Sequence, residues 1–225
     1  MGDKFRMPEL EIYLITILAV AFTVAYSIGS RYNYKLQRKI WKTLSEEIKP
    51  YSKKVAFQSL GSSGFKIAYK PAKGYLKKLE ISIVLMSREI PIYYFFAKYM
   101  GKHDTIILKS NFEVAPDFSL EIIKKGTKPH RELVKNPNYI ELQHEKLSEY
   151  FFVASSNRDK ALEFLSNKSI INEIIKVGNE IDRLSIASEE PHLLLSCSME
   201  ENIIHQLLNI ASACGRNLEQ IKGGM

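Results

Sequence analysis

The sequence predicts an α+β protein in which one N-terminal transmembrane helix precedes a mixed α/β soluble region. Three observations lead to this class: an uncharged apolar run near the N-terminus, short segments of alternating apolar and polar residues, and segments of helical periodicity between them. Of the 225 residues, 45% are hydrophobic and 25% are charged, which suits a globular domain behind an anchor. The soluble part can be written as two small β-α-β-β units. The predicted segments are a short N-terminal tail (1–11), the transmembrane helix (12–30), a basic juxtamembrane helix (31–50), a first α/β unit (51–126), a linker (127–138) and a second α/β unit (139–225).

The transmembrane helix is predicted from a run of residues without charge. Residues 12–30 are rich in Ile, Leu, Val and Ala and contain no Asp, Glu, Lys or Arg. At about 1.5 Å per residue a helix of this length reaches roughly 28 Å, close to the ~30 Å of a bilayer's hydrocarbon core. A helix is required there because lipid offers no partner to backbone N–H and C=O groups.

This run has two other interpretations. A buried core helix, uncharged on every face, would need an unusually large core. A cleaved signal peptide would use Lys4 and Arg6 as its basic region and 25–27 as a loose cleavage site. The run is longer than the usual ~7–15 apolar residues of a signal peptide, and Glu9 and Glu11 stand directly before it. An anchor is therefore favoured.

Basic residues near the two ends of the span predict its orientation. Two flank the N-terminal side, and five follow the C-terminal side within twelve residues, which places the body of the protein in the cytosol and the N-terminus outside. The five are Arg31, Lys35, Arg38, Lys39 and Lys42. Residues 31–78 contain thirteen Lys or Arg and only two acidic residues. Anionic lipid headgroups are the expected partner, at about 1 kcal/mol per basic residue near the surface. Structured RNA such as a ribosome would also meet a basic face, but no motif predicts sequence-specific nucleic-acid binding.

The first unit is preceded by the helix that continues from the anchor. Leu36, Ile40, Leu44 and Ile48 recur every four residues, which predicts an amphipathic helix over 31–49 that stops at Pro50. A turn over 60–64 and two alternating segments then predict a hairpin. The strands of the hairpin are 65–69 and 79–85, a helix is predicted over 92–100 between Pro91 and a capping Gly101, and further strands are predicted at 105–112 and 118–124.

The second unit is predicted from capping and strand signals. Asn157 or Ser156 caps a helix over 158–165, and Gly178 ends the next helix. Ser198 and Glu201 form a capping box that opens a helix through about residue 213. The remaining predicted elements are strands at 150–154, 181–187 and 191–197 and a helix at 169–177. The last helix is expected to bury Ile203, Ile204, Leu207, Leu208 and Ile210.

The predicted helix 92–100 carries aromatic residues on nearly every side. Core packing is expected to account for two or three of them, and the others to face solvent, membrane or a partner. The candidate partner surface consists of Tyr93, Tyr94, Phe96 and Tyr99. Tyr26, Tyr32, Tyr34 and Trp41 suit rings near the membrane interface, although Trp41 also suits the soluble core.

The sequence shows no catalytic or metal-binding pattern. The five histidines lie at no metal-ligand spacing. His192 and Cys197 stand at opposite ends of a short strand, about 17 Å apart, too far for a thiolate–imidazole pair. Glu189 and Glu190 are expected to be solvated, and the GSSG at 61–64 to be a turn rather than a phosphate loop. We expect no cofactor and no enzymatic activity; a membrane-bound hydrolase using Cys197 or an unseen carboxylate pair is the alternative.

The order of elements resembles the calumin-type coiled-coil-domain proteins of the endoplasmic reticulum membrane. The resemblance rests on the anchor IYLITILAVAFTVAYSI, the hairpin GSSGFKIAYKPAKGYLKKLEISIVLMSREI, the strand HDTIILKSNF and the closing LSIASEEPHLLLSCSMEENIIHQLL. That family accompanies the translocon and assists the insertion of multi-spanning membrane proteins, and it implies no catalytic residues here. The family's long acidic segment before the anchor and its C-terminal coiled coil are not matched by this sequence, which speaks against ribosome contact.

These observations predict a single-pass membrane-anchored protein with a cytosolic α/β binding or scaffold domain that assists membrane-protein biogenesis beside a translocon. Its membrane would be the cell membrane in a prokaryote or archaeon and the endoplasmic reticulum in a eukaryote. The alternative is an exported, externally facing ligand-binding domain whose N-terminus is a signal or anchor.

Overall fold

The N-terminal helix and the domain behind it are joined without a break. The structure, a computed structural model, describes residues 7–52, 54–72, 74–200 and 203–223. Helix α1, Met7–Ile48, is a single helix of 42 residues that contains both the predicted span and the predicted juxtamembrane helix. The predicted tail is therefore helical from residue 7, while Lys4 and Arg6 lie outside the described residues.

The domain is built on one nine-stranded antiparallel sheet. The strand order is β1-β2-β3-β4-β9-β8-β5-β7-β6. The strands are β1 Val55–Ser59, β2 Gly64–Tyr69, β3 Leu76–Val84, β4 Thr105–Phe112, β5 Leu120–Lys124, β6 Ile140–Glu141, β7 Phe151–Ser155, β8 Ile181–Ile186 and β9 Leu193–Ser198. The helices after α1 are α2 Pro91–Tyr99, α3 Lys128–Leu133, α4 Arg158–Leu165, α5 Lys168–Val177 and α6 Ile203–Gly223. The α+β class predicted from the sequence is confirmed.

One sheet face is apolar and carries the core. Cross-strand neighbours such as Phe65 with Ile83 and Leu108 with Leu195 are all buried on this face. The second half of α1 packs there through Ile40, Leu44 and Ile48, as the predicted stripe requires, together with α4, α5 and α6. An antiparallel sheet with one covered and one solvated face is expected to alternate in this way.

The opposite face of the sheet holds polar partners. The Lys66 ammonium lies 3.7 Å from the Glu80 carboxylate across β2 and β3. The Glu121 carboxylate is buried and accepts hydrogen bonds from the Arg183 guanidinium at 2.7 and 2.9 Å and from the Ser185 hydroxyl at 2.7 Å. These contacts offset the cost of burying the Glu121 carboxylate, because both of its oxygens accept hydrogen bonds.

The predicted linker does not separate two sheets. Residues 127–138 contain α3, capped by the Thr127 side chain, and the strands before and after it belong to the same sheet. Strand β4 of the first predicted unit pairs with β9 of the second. The two predicted units therefore share one sheet and one hydrophobic core.

Several details differ from the sequence prediction. Strand β1 was not predicted, because it lies at the sheet edge and its residues are exposed or half-buried, so they do not alternate in polarity. Helix α6 extends to Gly223 rather than to about 213. Glu201 of the predicted capping box lies outside the described residues, and the Ser198 hydroxyl donates to the Glu180 carboxylate instead.

Candidate functional site

The first half of α1 extends away from the domain. The residues from Ile12 to Ile28 are exposed, apart from the half-buried Ala25. The hydroxyls of Thr16, Thr23 and Ser27 each donate to a carbonyl four residues back at 2.8 Å, so these polar groups need no water. Within the described part of the chain, α1 is the one helix that is long and apolar enough to cross a membrane.

The helix first meets the domain at Gly29, at the end of the apolar span. Gly29 is buried, and a Cβ on it would lie 2.2 Å from the carbonyl oxygen of Arg88 and 2.5 Å from the backbone nitrogen of Glu89. Both neighbours are backbone atoms that no side-chain rotation can move. Only glycine therefore allows the β3–α2 loop to approach the helix this closely.

One and two turns after Gly29, the side-chain amides of Asn33 and Gln37 bind the domain. The buried Asn33 donates from Nδ2 to the carbonyl oxygens of Ser62 at 3.0 Å and Met86 at 2.9 Å. The buried Gln37 donates to the carbonyl oxygen of Gly61 at 2.8 Å. The GSSG segment is thus a 3-10 turn that holds α1, as its prediction as a turn implies. We call the face of α1 that carries Gly29, Asn33 and Gln37 the docking face.

Arg88 connects the docking face to α2. Its guanidinium donates to Asn33 Oδ1 at 3.0 Å and forms two hydrogen bonds with the Asp104 carboxylate, at 2.6 and 3.0 Å. It also lies 5.2 Å from the ring centre of Tyr32 on α1 and 5.5 Å from that of Tyr94 on α2. Burial opposes the charge of the guanidinium, but the hydrogen bond and charge of Asp104 outweigh it, so the pKa of Arg88 is raised.

Helix α2 places most of its aromatic residues in solvent. Ala97 is its buried residue, Tyr94 is half-buried against Arg88 and Phe95, and Tyr93, Phe96 and Tyr99 are exposed. Core packing therefore accounts for fewer of these rings than the sequence led us to expect. The reason is that α2 lies beside the end of the sheet next to α1 and not over the sheet face.

The five predicted lipid-contact residues form one exposed face of α1. Arg31, Lys35, Arg38, Lys39 and Lys42 recur at spacings of three and four, which places them opposite the docking face. Lys42 lies about 16 Å further along the helix than Arg31, whereas charges in physiological salt are screened over about 8 Å. In a helix that followed a membrane normal, Arg31 and Lys35 would therefore be the two closest to the headgroups. We call these five residues the basic face.

The four aromatic residues predicted to lie near a membrane interface fall into two groups. Tyr26, Tyr32 and Tyr34 are exposed near the end of the span. Trp41 instead belongs to the domain, where its ring makes edge contacts with Phe57 at 5.3 Å and Phe65 at 6.1 Å.

The nucleophilic and metal-binding side chains are dispersed. Cys197 and Cys214 are buried, and burial raises the pKa of both thiols, that of Cys214 to about 12. Buried His192 accepts a hydrogen bond from the Phe112 backbone N–H at 3.1 Å, and burial lowers its pKa. Among the described residues, no three His, Cys, Asp or Glu side chains are grouped so that they could hold a metal ion.

Sequence reasoning missed the polar cluster of Asn33, Arg88 and Asp104. The available signal was local: Gly29, Asn33 and Gln37 are spaced four apart on the side of α1 that also carries the apolar stripe. Small and amide residues in register with a buried stripe indicate a close, hydrogen-bonded contact. Comparison of the chain with known protein families and with curated proteins gives no match.

Proposed function

We propose that this chain is a single-pass membrane protein that holds a cytosolic α/β scaffold domain against the membrane surface, where it assists the biogenesis of other membrane proteins beside a translocon. The excess of basic residues after the span supports the cytosolic orientation. The resemblance to the calumin-type proteins supports the role beside a translocon.

One observation carries the scaffold proposal: the apolar helix continues without interruption into the core of the domain. The same α1 that is exposed along 12–28 is docked by Gly29, Asn33 and Gln37 and buried at Leu44 and Ile48. A flexible linker would let the domain move over tens of Å. A continuous docked helix instead fixes both its height and its orientation, which is what a platform for other membrane proteins requires.

The chemistry of the buried charges favours binding over catalysis. Arg88 is engaged by Asp104 and Asn33, and Glu121 is engaged by Arg183. A general acid or base needs a perturbed pKa within a substrate pocket. These pairs instead connect segments of the fold, so they serve its rigidity.

Membrane topology is the first test. Intact cells that produce the full chain are treated with an added protease, with and without permeabilisation of the membrane. A cytosolic domain survives until the membrane is opened. Degradation in intact cells would overturn this orientation and favour the exported ligand-binding alternative.

Partners are tested by co-purification of the full chain from mild detergent. We expect translocon subunits or partly inserted membrane proteins among the recovered proteins. The variant Asn33→Ala provides a comparison: it retains the anchor but loses the hydrogen bonds that orient the domain, and it should recover less of the same partners. A wild-type preparation without translocon subunits or membrane-protein clients would overturn the biogenesis role.

A further inference from the structure

Helix α2 presents an apolar stripe to the outside of the protein. Ile92, Phe95, Phe96 and Tyr99 recur at the i, i+3, i+4, i+7 spacing of one helix face, and they are 72%, 68%, 62% and 88% exposed. In a helix of a soluble domain this stripe would face the core. Here the core side of α2 is formed by Ala97 instead. Four large apolar side chains exposed on one face indicate a surface that contacts a partner.

The position of α2 along α1 indicates what that partner is. Gly29, the first buried residue after the exposed apolar stretch, approaches the backbone of Arg88 and Glu89, directly before the first turn of α2. The Arg88 guanidinium lies between the rings of Tyr32 and Tyr94, which ties α2 to α1 at this level. Helix α2 thus lies at the height at which the proposed span ends and the headgroup layer begins.

The composition of α2 suits a lipid surface. The helix contains no acidic residue, and the exposed Lys98 and Lys102 lie at its C-terminal end, where they can meet anionic headgroups. Phenylalanine and isoleucine are the residues that enter the acyl boundary, while tyrosine prefers the headgroup level. The four-residue stripe supplies both kinds of side chain on the same face.

We propose that α2 is a membrane-surface helix whose stripe of Ile92, Phe95, Phe96 and Tyr99 is immersed in the cytosolic leaflet beside the exit of α1. This inference rests on the proposed anchoring by α1. The domain then has two attachments to one leaflet, so it can neither tilt away from the membrane nor rotate about the axis of the anchor.

Environment-sensitive labels on single introduced cysteines test this arrangement in the full chain. Cys197 and Cys214 are buried, so the folded wild type provides the unlabelled blank. A polarity-sensitive fluorophore is attached in turn to Phe96→Cys on α2, Ala21→Cys in the middle of the apolar span and Ser188→Cys in the β8–β9 turn. That turn lies at the other end of the strands from α2, since β9 runs antiparallel to β4. The Trp41 fluorescence of each variant checks that its domain is folded.

The labelled proteins are reconstituted into vesicles of phosphatidylcholine and phosphatidylglycerol. We expect the label at 96 to be quenched severalfold more strongly by lipids with a nitroxide near the headgroup than the label at 188, and to be protected from aqueous iodide. The label at 21 should respond most strongly to a nitroxide deep in the acyl chain. Position 188 should be open to iodide.

Each departure from this pattern has a distinct meaning. A label at 96 that iodide quenches as strongly as the label at 188, while the label at 21 is in lipid, overturns the inference and leaves the anchor intact. Protection of position 96 from both iodide and lipid nitroxides also overturns it, because a protein, such as a second copy of this chain, then covers the stripe. A label at 21 that is open to iodide overturns the proposed anchoring itself.

Discussion

Replacing Asn33 with alanine should detach α1 from the domain more than any other single truncation on the docking face. The amide donates to the carbonyls of Ser62 and Met86 and accepts from the Arg88 guanidinium, and its side chain is fully buried. Asn33→Ala leaves two partly buried carbonyls without their donor and removes one acceptor from a charged group. These are the losses that cost most in a protein interior.

The expected magnitude follows from the three hydrogen bonds. A neutral hydrogen bond contributes about 0.5–1.5 kcal/mol net, and one to a charged group about 1.5–3 kcal/mol. Because the shortened side chain leaves room for a water molecule, we expect a value in the lower half of the resulting range, about 3 kcal/mol. With a slope of about 2 kcal/mol per M, the urea midpoint should fall by about 1.5 M.

The assay uses the one tryptophan of the chain. Trp41 lies on α1 in edge contact with Phe57 and Phe65, so its fluorescence reports whether the helix is docked on the sheet. Urea titration of the detergent-solubilised full chain gives the midpoint. Lys35→Ala, two residues further along on the exposed basic face, is the matched control and should shift stability by no more than about 0.5 kcal/mol. Equal midpoints for the two variants would refute the role assigned to Asn33.

Three further predictions concern charge and accessibility. Both buried cysteines should resist a polar maleimide at pH 8 and react fully once urea unfolds the chain; mass spectrometry that finds rapid labelling of the folded protein would contradict their burial. Burial lowers the pKa of His192, so protonation favours the unfolded chain, and the free energy of unfolding should fall as the pH drops below about 6.5. In urea titrations at pH 7 and pH 5 this loss should be smaller in His192→Gln, which can still accept the hydrogen bond from Phe112; an equal loss in both proteins would exclude His192 as its source. Replacing all five residues of the basic face with glutamine should leave part of the population inserted with its domain outside, measured as the fraction degraded by protease on intact cells; unchanged protection would show that other residues set the orientation.

The elements predicted best are those whose signals are local. Strand β4 and helix α4 have the predicted bounds, because β4 alternates in burial along its whole length and Asn157 caps α4 through a hydrogen bond to the Lys160 N–H. Strand β1 could not be found in this way, since an edge strand with exposed side chains has no alternation to detect. The single sheet was also beyond local signals, because the pairing of β4 with β9 joins residues more than eighty positions apart.

The site around the end of the apolar span was predicted in part. The basic face and the aromatic helix follow from composition and spacing, and all five basic residues are exposed, while their contact with lipid stays a prediction. The number of aromatic rings in the core was overestimated because α2 lies beside the end of the sheet and not over its face. In the proposed position of α2 beside a bilayer, an exposed phenylalanine is not a cost. The cluster of Asn33, Arg88 and Asp104 was missed because three separate segments of the chain bring it together.

The proposed membrane anchoring accounts for the polar nature of that cluster. Between a helix and a domain in water, apolar packing is enough to select one arrangement, because every other arrangement exposes apolar surface. At the level where the proposed span ends, lipid would compete for apolar side chains as well as another helix does, so apolar contacts would no longer distinguish one rotation of α1 from another. Hydrogen bonds still do, since an unpaired amide or guanidinium is costly in any rotation that separates it from its partner. A glycine that permits close approach and an Asn–Arg–Asp cluster therefore specify the orientation of α1, and through Arg88 and Tyr94 they specify that of α2 as well.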